Sequence, residues 1–89
     1  MINRFLLNEF GERIKQLRLN KNLSQEKLAS ITGFHRTYIG MVERGERNIS
    51  LSNMAVFAKV FDIDLSELLD LKKVNPNHSH DDYEIKNEN

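Results

Sequence analysis

Apolar residues recur at helical spacing along the first 73 residues of the chain. Phe10, Ile14 and Leu17 fall at i, i+4 and i+7, which predicts a helix from about residue 8 to 21, with a start nearer residue 3 left open. The same spacing predicts further helices over residues 25–31, 35–44, 51–61 and 65–71. No segment alternates with the period of two that a strand requires, so the pattern predicts an all-α domain of five short helices.

Polar residues and glycines mark the ends of these predicted helices. Ser24 and Ser50 each precede an apolar run and are expected to accept a hydrogen bond from a free backbone N–H of the first turn. Asp64, followed three residues later by Glu67, predicts a capping box. Gly33 is expected to end the second helix, because glycine reaches the left-handed conformation without a Cβ clash.

The pattern changes after Lys73. Residues 74–89 are polar, with only Val74, Tyr83 and Ile85 as larger apolar residues, and carry a net charge of −3. Too little apolar surface is available to offset the ordering entropy of about 1–2 kcal/mol per residue. The expected organisation is therefore a folded domain over residues 1–73 and a flexible, disordered acidic tail over residues 74–89.

Composition and charge narrow the class of protein. A chain of 89 residues is expected to form one small domain, without cysteine to staple it. The N-terminal residues lack the features of a signal peptide and no apolar run reaches the roughly 18 residues of a membrane span, so no membrane association is expected. The net charge of zero hides an uneven distribution, because residues 1–50 carry +4. Because of this asymmetry, the net charge of the whole chain is a poor guide to its partners and does not argue against nucleic acid.

Residues 25–44 carry the pattern of a helix-turn-helix. Small Ala29 allows two helices to cross closely, Gly33 makes the turn, and Ile39 and Val42 face inward. The positions left outside share one polar helix face: Arg36, Thr37, Gly40, Met41 and Arg44. In a helix-turn-helix the second helix enters the major groove of DNA by its N-terminal end.

The chain resembles the XRE family of phage-repressor-like regulators over residues 5–71. The segments that carry the resemblance are Phe5-Leu6-Leu7, Ile14-Lys15 with Leu17-Arg18, residues 23–29, Arg36-Thr37-Tyr38-Ile39, and Glu43-Arg44-Gly45 with residues 47–50. Within that family it is most similar to the controller proteins of restriction–modification systems. The resemblance implies a compact five-helix lambda-repressor-like fold and a cytoplasmic, nucleoid-associated bacterial transcription regulator. It also implies a homodimer on a palindromic double-stranded DNA operator, with RNA polymerase as a candidate partner.

By position in the resemblance, ten residues are expected to contact DNA. They are Gln25, His35, Arg36, Thr37, Tyr38, Met41, Arg44, Arg47, Asn48 and Ser50. Arg36 is the leading candidate for reading a base, because its fork suits guanine O6 and N7. Gln25 is expected at a phosphate near the start of the second helix. Tyr38 could instead shield the helix pair, His35 and Met41 could be simple surface or packing residues, and Glu43 is expected to be structural.

A leucine-rich final helix supplies more apolar side chains than one side of a small core can use. The surplus is expected to meet a second copy of the chain, so residues 1–73 are expected to form a helix-turn-helix domain for DNA binding and dimerisation. The expected dimer interface comprises Phe61, Ile63, Leu65, Leu68 and Leu69.

Other classes of function have weaker support in the sequence. The cluster His78-Ser79-His80-Asp81-Asp82 contains metal-ligand types, but nothing preorganises it, so neither a metal nor a cofactor is expected. No nucleophile with an adjacent base and no phosphate-binding loop occurs in residues 1–73, so an enzyme is not expected. An antitoxin whose tail binds a protein partner remains the alternative, and a tail that competes with phosphate for Arg36, Arg44 and Arg47 is a further hypothesis.

Overall fold

The computed structural model describes residues 3–85, and all regular elements within that range are helical. The five α-helices are α1 (Arg4–Asn20), α2 (Gln25–Thr32), α3 (Arg36–Glu43), α4 (Leu51–Phe61) and α5 (Leu65–Leu68). Two 3-10 turns follow at Leu71–Lys73 and His80–Asp82. The predicted all-α, five-helix domain is confirmed.

Most helix ends agree with the capping signals. The Oγ atoms of Ser24 and Ser50 accept from the backbone N–H groups of Lys27 (3.0 Å) and Asn53 (3.1 Å), as predicted. The prediction of a capping box at Asp64 is wrong, because the Asp64 side chain makes no cap hydrogen bond. At the start of α5 only its backbone carbonyl accepts, from the N–H groups of Glu67 and Leu68. The α5 helix is also shorter than predicted, since the chain tightens into the 3-10 turn Leu71–Lys73 after Leu68.

The core lies where α1 to α5 meet. Its fully buried large side chains come from every helix: Ile14, Leu28, Ile39, Phe57 and Leu68. Burying a side chain of this size contributes about 1.5–3 kcal/mol each, so the inward positions of the predicted pattern hold the helices together.

Two glycines decide how the helices meet. Gly33 ends α2 in the left-handed conformation (φ 81°), as predicted, and its backbone N–H donates to the carbonyl of Ala29. Gly11 allows α1 to cross the end of α3, because a Cβ there would stand 2.5 Å from the backbone oxygens of both Val42 and Glu43. Glycine is otherwise a weak helix former, so this close crossing explains its place within α1.

The C-terminal segment departs from the prediction of a disordered tail. Residues 74–85 are described and lie against the N-terminal half of α1, whereas residues 86–89 are outside the described range. Glu9 is the anchor: its carboxylate contacts the His78 ring Nδ1 and accepts from Asn75 Nδ2. The ring of Phe5 packs 5.8 Å from that of Tyr83. The prediction failed because it counted apolar side chains within the tail and missed polar partners supplied by α1.

Two members of the expected dimer interface are buried inside the protomer. Phe61 is 3% exposed and Leu68 is 0% exposed, because both complete the core beneath α4 and α5. Phe61 and Leu68 therefore have almost no exposed surface that a second copy of the chain could contact. Ile63 and Leu65 are partly buried, and Leu69 remains 40% exposed.

Candidate nucleic-acid interface

The pair α2 and α3 forms the predicted helix-turn-helix. Ala29 and Leu28 of α2 and Ile39 and Val42 of α3 are buried, so the inner faces of the two helices meet in the core. At the opposite side the N-terminal end of α3 is exposed at His35, Arg36 and Thr37. The first turn of α3 is therefore free to enter a groove.

A shallow cavity of about 560 Å³ opens beside this turn. It is lined by residues of the turn, α3, the following loop and α4: Gly33, Phe34, His35, Thr37, Tyr38, Met41, Arg47 and Asn53. Five of the ten predicted DNA contacts thus line one concave surface: His35, Thr37, Tyr38, Met41 and Arg47.

Tyr38 packs against the helix pair and also lines the cavity, so its position is compatible with both of its predicted roles. Its ring is half-buried and packs edge-on against Phe34, with centroids 5.0 Å apart. Its hydroxyl accepts from Asn53 Nδ2 at 2.9 Å, and the Arg47 guanidinium carbon lies 5.2 Å from the ring centroid. Sequence reasoning missed Asn53, because its contact to Tyr38 depends on how α3 and α4 pack.

Arginines flank Gly40 on the outer face of α3. A Cβ at Gly40 would stand 3.0 Å from Arg44 Nη1 and 3.8 Å from Arg36 Nη1, so the two guanidinium groups lie over the glycine. Arg36 Nε is 3.7 Å from a Glu26 oxygen, and Arg44 Nε is 2.9 Å from a Glu46 oxygen. These exposed pairs contribute little stability and leave both cations available to a phosphate or a base.

Hydrogen bonding between Arg44 and Glu46 shifts the pKa values of both side chains. It lowers the pKa of the Glu46 carboxyl and raises the pKa of the Arg44 guanidinium. The two glutamates on either side of Arg44 have different partners. Glu46 contacts Arg44, and Glu43 turns inward.

Glu43 is structural, as predicted. Its carboxylate is buried and accepts from Arg18 Nε at 2.6 Å and from Arg18 Nη2 at 3.1 Å. Gln25 Nε2 donates to the same carboxylate at 3.0 Å. The Gln25 amide thus has a partner within the protein, and its contact to a phosphate stays a prediction.

The remaining predicted contacts lie along the loop between α3 and α4. Arg47, Asn48 and Ser50 are exposed, and Ser50 also caps α4.

The histidines of the C-terminal cluster have separate partners: His78 contacts Glu9 and Tyr83, whereas His80 lies 3.3 Å from Asp81. Within residues 3–85 no three metal-ligand side chains come together.

Comparison with known proteins agrees with this geometry. A helix-turn-helix family profile matches residues 14–68. Control protein C.BamHI of Bacillus amyloliquefaciens is 46% identical over 66 residues, which cover 73% of this chain and 82% of that protein. The chain belongs to the restriction–modification controller family of XRE-type helix-turn-helix regulators.

Further controllers share the sequence and the fold. Control protein C.SmaI of Serratia marcescens is 50% identical over 59 residues, covering 66% of this chain and 70% of that protein. The crystal structure of controller C.AhdI from Aeromonas hydrophila superimposes with a TM-score of 0.67 at 50% identity, covering 70% of this chain and 94% of the other. As a controller, the chain is a DNA-binding transcription regulator and not an enzyme. In the range 3–85 the structure has no helix long and apolar enough to cross a membrane.

Proposed function

We propose that this controller acts as a homodimer on a palindromic operator, with the N-terminal end of one α3 in the major groove of each half-site. The observation that carries the proposal is the exposed face of α3, where Arg36 and Arg44 flank Gly40 beside the open cavity. α3 has no side chain at Gly40, near its centre, and carries a cationic side chain on each side of it. This arrangement fits a DNA groove, which has phosphates along its edges and base edges between them.

Arg36 is assigned to base readout. It stands at the first residue of α3, and its side chain is about half exposed. Its one ion pair, to Glu26, is long and exposed, so exchanging it for guanine O6 and N7 costs little.

The other residues divide by position. Four of the residues that line the cavity are assigned to base edges and sugars: His35, Thr37, Tyr38 and Met41. Those at helix ends and in the loop are assigned to the phosphate backbone: Gln25, Arg44, Arg47, Asn48 and Ser50. Phosphate contacts set the register of the protein on DNA, and base contacts select the sequence.

The dimer is assigned to an apolar groove of about 130 Å³ between α1, the start of α4 and the end of α5. It is lined by Leu6, Leu7, Phe10, Asn48, Ile49, Met54, Leu69 and Leu71. Leu69 at its rim is 40% exposed, and Leu51, one turn before Met54 on α4, is 64% exposed. A second copy that brings the same surface would cover these leucines in an isologous contact.

The controllers among its relatives favour this function over the antitoxin alternative. We propose that the dimer acts on operator DNA in the bacterial nucleoid. We also propose RNA polymerase as a second partner of the DNA-bound dimer.

The decisive experiment removes the guanidinium of Arg36. Competition binding should compare an operator, selected from random duplexes with the wild-type chain, against random DNA. Arg36→Ala should lose about 1–3 kcal/mol of discrimination per half-site, because its bidentate base contact disappears. Arg47→Ala is the matched control and should weaken both kinds of DNA more evenly. An unchanged ratio of specific to nonspecific affinity in Arg36→Ala would contradict the assignment.

A further inference from the structure

The ring of Tyr38 is held from three directions by residues of different elements. Phe34, before α3, packs against it edge-on at 5.0 Å. Arg47, from the loop before α4, lies over it at 5.2 Å from the centroid. Asn53, in the first turn of α4, donates to its hydroxyl at 2.9 Å. The ring is therefore fixed between α3 and α4 at the wall of the cavity.

The direction of the hydrogen bond determines what Tyr38 can offer. Asn53 Nδ2 donates to the phenol oxygen, so the hydroxyl proton of Tyr38 is not used in that bond. The proton remains available to an acceptor outside the protein. DNA presents acceptors at phosphates and at base edges in both grooves.

The same ring is a platform for Arg47. An arginine in an exposed loop has many rotamers, and holding it in one costs about 0.5–1.5 kcal/mol, or roughly two- to tenfold in affinity at about 1.4 kcal/mol per tenfold. Stacking on a fixed aromatic ring restricts the guanidinium before DNA arrives. Because Asn53 fixes the ring, it limits the positions open to Arg47 as well.

We propose that Asn53 is a positioning residue for operator binding, acting through Tyr38 on the placement of Arg47. This inference rests on the proposed function, since it assumes that Tyr38 and Arg47 meet DNA. Asn53 is half-buried and lines the same cavity, but its amide is engaged by the Tyr38 hydroxyl, and in this proposal it acts through the ring.

The test is a set of variants measured on the selected operator. Asn53→Ala should weaken binding by about two- to tenfold per half-site, the cost of ordering one long side chain. The loss should vanish in an Arg47→Ala background and in a Tyr38→Phe background, because either change already breaks the chain of contacts. Asn20→Ala, an exposed asparagine at the end of α1, is the matched control and should bind as the wild type does.

A second measurement reports on the ring without DNA. The chain has two tyrosines, so in a Tyr83→Phe background the near-ultraviolet circular dichroism of tyrosine comes from Tyr38 alone. Asn53→Ala should reduce that signal while the helical signal stays, whereas Asn20→Ala should leave both unchanged. Should Asn53→Ala fail to fold, Tyr38→Phe removes the same hydrogen bond, keeps the ring, and should show the two- to tenfold loss at least.

Three results would overturn the proposal: full operator affinity in folded Asn53→Ala, an undiminished loss in the Arg47→Ala background, or an unchanged Tyr38 signal. If the wild-type chain selects no operator, the proposed function fails. The Tyr38 signal then still decides whether Asn53 holds the ring.

Discussion

Glu43 shows how much one side chain decides in this protein. Its carboxylate, at the end of α3, receives two hydrogen bonds from Arg18 of α1 and one from Gln25 of α2. Both charged side chains are less than one-tenth exposed. A buried pair of this kind adds little net stability over an apolar pair, but removing one partner leaves an uncompensated charge.

Glu43→Gln should therefore destabilise the domain by about 3–5 kcal/mol, because Arg18 keeps its charge and loses its anion. Urea unfolding followed by helical circular dichroism measures the change. Glu46→Gln is the matched control: its ion pair is exposed, and the change should stay within about 0.5 kcal/mol. Equal stability of the two variants would show that the buried pair has no such role.

Among the elements, α1 is held in place partly by α3 and partly by the C-terminal segment. Its middle crosses α3 at Gly11, and its N-terminal half is covered by residues 74–85 through Glu9 and Phe5. His78 connects α1 with the far end of the C-terminal segment. Its Nδ1 contacts Glu9 of α1, and its Nε2 lies 2.8 Å from the Tyr83 hydroxyl. The electrostatic hypothesis for the tail assumed a chain free to reach the arginines of α3, whereas the described part of the tail contacts α1.

Replacing His78 tests whether this cover contributes to stability. His78→Ala should lower the free energy of unfolding by about 1–2 kcal/mol, since a half-buried charged acceptor on Glu9 loses a partner. Hydrogen exchange in the first turns of α1 should accelerate at the same time. His80→Ala is the matched control, because the His80 side chain is 85% exposed. Identical exchange in both variants would mean that residues 74–85 do not hold α1.

For the whole molecule, the proposed dimer needs an apolar surface that a second copy of the chain can cover. The leucine-rich end of the chain does not provide it as a block, because Leu68 belongs to the core of the protomer. A charge at Leu68 would therefore test folding and not assembly. Leu69 is the residue of that end which reaches both the surface and the apolar groove.

Leu69→Asp should convert the proposed dimer into monomers without unfolding the protomer, because a carboxylate at the rim of the groove would be buried unpaired in the interface. Sedimentation at tens of micromolar measures the change, and binding to a two-half-site operator should weaken with it. Leu19→Asp, an exposed leucine at the far end of α1, is the control and should stay dimeric. A monomeric wild type, or a dimeric Leu69→Asp, would contradict this interface.

The amino-acid sequence alone determined the features that depend on near neighbours. Helical spacing, serine caps and Gly33 specify the helices and the turn between α2 and α3, because each signal acts within about one turn of backbone. The same pattern separates the buried Ile39 and Val42 from the exposed Arg36 and Thr37. The motifs of residues 5–71 predicted the family, and the family profile that matches residues 14–68 confirms it.

Which distant side chains meet depends on how the helices pack. Glu43 pairs with Arg18, 25 positions away, instead of with its neighbour Arg44. Asn53 reaches Tyr38 across 15 positions, and the tail finds Glu9 across 66 positions through Asn75. Periodicity tells which face of a helix turns inward, but not which residue of another helix it will face there. That choice follows from crossing points such as Gly11, where backbone approach is a property of both helices together.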